Sequence, residues 1–138
     1  MEDSTHAYEL FHRGLTQFNE HHFFDAHETW EELWLQAHGD DQRFYQGMIQ
    51  LAVVLVHVQR GNPRGIRSVW KSAQTKFQGL PEVYRGIAWQ ELLGQMQDYL
   101  RPVFEMPASA YEPGAGQGQA MPVDWRLAPR IVLQGPFE

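Results

Sequence analysis

Apolar positions recur at helical spacing along the first hundred residues. At 3.6 residues per turn, Phe23, Ala26, Trp30, Leu33, Trp34 and Ala37 share one broad face. Asp25, Glu28, Glu32 and Gln36 fall opposite, where an amphipathic helix meets water. This pattern predicts a helix from Phe23 to His38, preceded by one from about Ser4 to Phe18 whose inner face is Tyr8, Phe11, Leu15 and Phe18. Gly39 suits a left-handed residue past the helix end, and Asp40 suits a cap for the next helix. That third helix, about Asp41 to Arg60, is apolar almost all round, as a central buried helix is. Its polar stripe is narrow: Arg43, Gln46, Gln50 and His57.

Gly61-Asn62-Pro63 is a strong stop-and-start signal. Glycine ends one helix, asparagine caps the next, and proline fits its first turn. A fourth helix follows to about Gln78, with Ile66, Val69, Trp70, Ala73 and Phe77 inward. After Gly79-Leu80-Pro81, a fifth runs from about Ile87 to Tyr99, and Pro102 is expected to end it. The character then changes. Pro113 to Gln119 is a Gly-rich linker, and Val123 to Leu133 regains large apolar residues. The expected organisation is all-α: a compact bundle of about five helices over residues 1–102, then a linker and an irregular C-terminal strap over 103–138 that packs back on the bundle.

Length and composition narrow the classes. A chain of 138 residues supports a real core, and no apolar run approaches a membrane span. No basic-then-apolar leader is visible, and there is no cysteine, which removes disulfides and thiolate chemistry. A cytoplasmic location is the simplest reading. The net charge of −6 makes nucleic acid an unfavourable partner. Residues 1–43 hold ten of the seventeen acids and six of the seven histidines, whereas Arg60, Arg64, Arg67, Lys71, Lys76 and Arg85 form a basic stretch interrupted only by Glu82. The stripe of Arg60, Arg64 and Arg67 is most simply a solvated face. Its functional reading is an anion-binding surface or a homodimer contact with the acidic half of a second copy.

His27 and Glu31 carry the candidate chemistry. They lie one turn apart at the border of the apolar face, flanked by Phe24 and Leu35, and are expected to be at least half buried. A buried carboxylate needs a partner. One reading is a divalent metal (zinc, manganese or iron) held by His27, Glu31 and His57, with Gln46, Gln50, Glu28 and Trp34 around it to orient a ligand or bound water. A two-His, one-Glu set with an open position is a hydrolytic pattern, because the metal acidifies bound water; no catalytic base is assigned. The other reading is a structural polar network in which Gln46, Gln50 and His57 complete the His27–Glu31 pair and fix the register of two helices.

The order of motifs also resembles a known family. His27-x-x-x-Glu31-x-x-Trp34 is similar to the signature of domain-of-unknown-function family 309. Phe18-Asn19 and Phe24-Asp25-Ala26-His27-Glu28 resemble its lead-in. Gln46 to Ala52, His57 and Gly61-Asn62 resemble a second block, and Tyr84-Arg85-Gly86-Ile87 a third. The resemblance covers about residues 7–100. It implies a compact bundle of about five helices and no established activity, although some members carry a metal-dependent hydrolase label. A second resemblance is to tetratricopeptide hairpins, through Gly14, Ala26 and Trp30, with Gly47 following Gly14 by 33 residues. Gln59 stands where that repeat places its second alanine, so shared hairpin geometry is expected, without an array. Two function classes follow: a metal-dependent hydrolase, or a non-catalytic binding or scaffold protein using a groove between the second, third and fourth helices.

Overall fold

The third helix is the hub. A computed structural model describes residues 2–138, with side chains from Thr5 onward. The order is α1 (Glu2–Asn19), α2 (Phe23–Leu35), α3 (Gly39–Gln59), α4 (Pro63–Lys76), a two-stranded hairpin of β1 (Val83–Tyr84) and β2 (Ile87–Ala88), and α5 (Trp89–Phe104). Two short 3-10 turns follow, Ala108–Tyr111 and Trp125–Leu127. α3 packs mainly against α2 and α4, and α1 packs against α2. Phe44, Met48, Leu51, Ala52, Val54 and Leu55 of α3 are fully covered, which is why this helix shows so little polar patterning.

Two close approaches set the helical hairpins. Gly14 of α1 lies against the Trp30 indole, whose Nε1 donates to the Phe11 carbonyl at 3.1 Å. Gly47 of α3 in the same way receives the Phe77 ring from the end of α4. Asn62 caps α4 as expected: its Oδ1 accepts from the Gly65 N–H at 3.2 Å, with Pro63 in the first turn. α5 is joined to the bundle by aromatic groups. Trp89 stacks on Phe77 at 5.9 Å, and Trp70 Nε1 donates to Gln97 Oε1 at 3.0 Å.

Several local expectations are corrected. Ile87 opens no helix; it pairs with Tyr84 in the antiparallel hairpin. Pro102 lies inside the last turn of α5, where it forfeits the N–H bond to the Asp98 carbonyl and only two helical residues follow it. Asp40 is in the first turn of α3, complementing the helix dipole, while His38 holds the cap position without a side-chain bond. Tyr8 is 49% exposed, and Leu10 takes a core position instead.

Several groups after α5 hydrogen-bond to the helices. The Tyr111 hydroxyl donates to the Val103 carbonyl. Gly118 and Gln119 donate to the Arg60 and Gly61 carbonyls at 2.8 and 3.0 Å. The Tyr99 hydroxyl donates to the Asp124 carbonyl at 2.7 Å, and Trp125 meets the His21 ring edge-on at 5.6 Å. Ile131 and Phe137 are buried, while Val132 is exposed.

Candidate functional site

The two motif residues do pair. His27 Nε2 lies 3.4 Å from Glu31 Oε2, and His27 Nδ1 lies 3.2 Å from the Phe24 carbonyl. His27 is at least half buried as expected, with its side chain 20% exposed, whereas the Glu31 side chain is 52% exposed. The reason is packing. α2 turns Phe23, Ala26, Thr29, Trp30 and Leu33 inward, and its second apolar flank meets water, with Phe24 at 45% and Leu35 at 71% exposure. Glu31 therefore has no desolvation cost that demands a partner. Glu28 is also exposed.

His57 is elsewhere. Its Nδ1 lies 3.3 Å from Asn62 Nδ2, at the turn into α4, and its ring packs on Gly65. Burial and the charge of Arg60 hold its pKa below the ordinary histidine value, favouring the neutral ring. Among the described residues, no three His, Cys, Asp or Glu side chains gather as a metal site would require. The structure thus brings together His27 and Glu31 and leaves out His57. Nor does the polar stripe of α3 join them. Gln50 Nε2 donates to Ser72 Oγ of α4 at 3.0 Å, and Gln46 is half-buried beside it on α3. Gln50 Oε1 and Trp34 Nε1 are buried without hydrogen-bond partners among the described residues. The basic stripe is partly engaged: Arg60 lies 5.7 Å over the Phe24 ring and Arg67 4.0 Å over Tyr111, while Arg64 is exposed.

A different cluster is better built. Arg85 and Gly86 occupy the hairpin turn with φ of 49° and 83°. Positive φ at both central positions is the geometry that matches strand twist in a two-residue turn. It aims Arg85 at the start of α3. Arg85 Nε donates to Asp41 Oδ1 at 3.1 Å and Nη2 to Oδ2 at 2.9 Å, a bidentate pair. The Tyr84 hydroxyl donates to Asp41 Oδ1 at 2.7 Å, and Arg85 Nη1 donates to the Phe137 carbonyl at 3.2 Å. Burial pushes the Asp41 pKa up, but the Arg85 and Tyr84 hydrogen bonds and the Arg85 charge together outweigh it and hold the carboxyl below its usual 3.8. Burial, then the Asp41 bond, pushes Tyr84 up to about 12. Burial and the Asp41 charge likewise raise the Tyr45 phenol far out of its usual range, so it remains a protonated donor.

This cluster forms one wall of a cleft of about 590 Å³ between α1, the end of α2, the start of α3, the hairpin turn and the strap. Tyr8, Leu33, Ala37 and Phe137 give it apolar surface; His38, Asp41, Tyr45 and Arg85 give it polar groups. The cleft is at the hairpin end, and the expected groove between α2, α3 and α4 is not where it lies. Sequence reasoning missed it because Asp41 and Arg85 are 44 residues apart. The available signal was Tyr84-Arg85-Gly86-Ile87, a short block with no helical role.

Residues 11–69 match a family model described as a domain of unknown function (DUF309). An uncharacterized protein of Aquifex aeolicus (strain VF5) is 32% identical over 96 residues, covering 69% of this chain and 28% of that protein. The chain therefore spans less than a third of that relative's length. The family match includes His27, Glu31, Trp34 and Asp41, and ends before Arg85 and the strap. The motif order of the sequence and the helical fold agree with that match, and over residues 11–69 the chain is similar to the DUF309 domain.

Proposed function

We propose that the chain is a non-catalytic binding protein whose ligand site is the cleft beside Asp41 and Arg85. The observation that carries this reading is Tyr45. Only 2% of this residue is exposed, and it lines the cleft with its phenol protonated. A ligand acceptor in the cleft would take a hydrogen bond from that phenol. The cleft volume falls within the range of about 300–1,000 Å³ usual for small-molecule sites. Aromatic walls at Tyr8 and Phe137, with donors at Tyr45, Arg85 and His38, suit a small aromatic compound carrying an oxygen acceptor. Ligand-observed NMR with a panel of small aromatic acids and amides tests this. The expected result is saturable binding that Tyr45→Phe weakens about tenfold. A panel without binders, or binders indifferent to Tyr45, would count against it.

Metal binding is a second reading, favoured by the 3.4 Å approach of His27 and Glu31 on one accessible helix face. Because His57 is directed to the α4 turn, the pair fits an ion only if further ligands come from another molecule. Elemental analysis of untagged protein, purified without chelating resin or chelator, decides it. About one equivalent of zinc, manganese or iron that disappears in His27→Ala supports a metal role and calls for a hydrolase screen.

A further inference from the structure

The strap is held as a bound peptide is held. The Asn19 side-chain amide engages both backbone groups of Ile131: Nδ2 donates to the carbonyl at 2.9 Å, and Oδ1 accepts from the N–H at 2.8 Å. The Gly86 carbonyl accepts from the Gln134 N–H at 2.7 Å. Arg85 donates to the Phe137 carbonyl and lies 4.6 Å over the Phe137 ring. Main-chain hydrogen bonds supplied by a scaffold, with spaced side chains in pockets, are the signature of peptide recognition. Here the anchors are Ile131 and Phe137, exposed by only 6% and 9%. Phe137 sits in a slot of aromatic rings, 5.7 Å from Tyr8, 5.5 Å from Phe11 and 6.3 Å from His12.

The segment is also separable from its groove. The Gly-rich stretch before it is pinned at Gly118, Gln119 and Asp124, so the part that can leave and return is the segment beyond Asp124. Open clefts of about 480 Å³ and 260 Å³ run along its two sides, so it is not enclosed. Gly86 has no Cβ, and a Cβ there would stand 2.7 Å from the Gly135 carbonyl oxygen. That clearance admits a backbone whatever chain it comes from.

We propose that this is a peptide-binding groove occupied in cis, and that its occupant in trans is the strap of a second copy, giving a dimer by reciprocal strap exchange. A segment of the right chemistry is guaranteed by identity, and exchange of an identical element between copies needs no new interface. Covalent attachment through Asp124 gives the cis strap a high effective concentration, so the closed single chain dominates until the strap is loosened. The inference does not depend on a small-molecule ligand in the neighbouring cleft.

Complementation of two full-length variants tests it. Asn19→Ala disables the groove and keeps a sound strap; Phe137→Ala keeps the groove and removes the strap anchor. Each alone is expected to run as a single chain by light scattering. Mixed in equal amounts at high concentration, they are expected to form a one-to-one pair of doubled mass that melts above either variant. A mixture that stays at single-chain mass, with both variants helical by circular dichroism, overturns the proposal. So does a dimer of Asn19→Ala alone, since a different surface would then be joining the copies. Should Asn19→Ala fail to fold, Asn19→Asp takes its place, keeping the acceptor for Ile131 N–H and losing the donor.

Discussion

A methyl group on Gly14 would stand 2.0 Å from the Trp30 indole nitrogen, closer than any packing tolerates. Gly14→Ala must therefore push Trp30 off the Phe11 carbonyl or part α1 from α2. Overpacking of this kind costs about 1–3 kcal/mol, and urea denaturation is expected to show a loss in that range. Gly94 is the control. It lies within α5 with nothing near its missing Cβ, so Gly94→Ala should stabilise by about 0.5–1 kcal/mol. Opposite shifts of the two midpoints are the expected outcome. The residue scale also shows what spacing alone can reveal. The i, i+4 relation of His27 and Glu31 was legible, and the pair forms. The exposure of Glu31 was not, because helical periodicity sorts residues onto faces without saying which face another element will cover.

At the scale of elements, helix frames were legible wherever a local signal set them. Asn62-Pro63 starts α4 through a side-chain cap and a fixed φ, both written in two residues. The hairpin was not legible. Two strands of two residues are too short for an alternating pattern, and the turn uses a non-glycine residue, Arg85, at positive φ. What the hairpin contributes is a link between the bundle and the strap. Gly86 combines a φ of 83° with close approach to Gly135, so Gly86→Ala strains the turn and clashes with the strap together. A left-handed alanine costs roughly 1–2 kcal/mol before the clash is added. The expected readout is faster trypsin cleavage at Arg126 and Arg130, both exposed on the strap side, while helical circular dichroism is retained. Unchanged cleavage would mean that the strap does not depend on the hairpin for its place.

For the whole molecule, the Asp41–Arg85 pair ties the start of α3 to the hairpin and, through the Phe137 carbonyl, to the strap. Its pH dependence follows from the depressed carboxyl. Between the folded pKa and the unfolded value of 3.8, the unfolded chain binds more protons at Asp41. The stabilisation is therefore complete above 3.8 and is lost as pH falls through the lower, folded value. Asp41→Asn is expected to cost about 1–3 kcal/mol at neutral pH and to lack that acid step in a series of urea midpoints. An unaltered acid limb in the variant would assign the step to other carboxylates. Long-range pairing of this sort is what the sequence withheld, since no local pattern connects positions 41 and 85. Among the described residues, no helix is long and apolar enough to cross a membrane, in line with the short apolar runs of the sequence.

The edge-on contact of Trp125 with His21 has an optical consequence. The other four tryptophans lie in α2, α4 and α5, whereas Trp125 rides on the strap and is 36% exposed. A solvated indole emits at the red edge of the band, so that edge moves as Trp125 leaves or regains its contact with the His21 ring. The native chain thus carries its own fluorescent gauge of strap docking, with no dye or introduced cysteine.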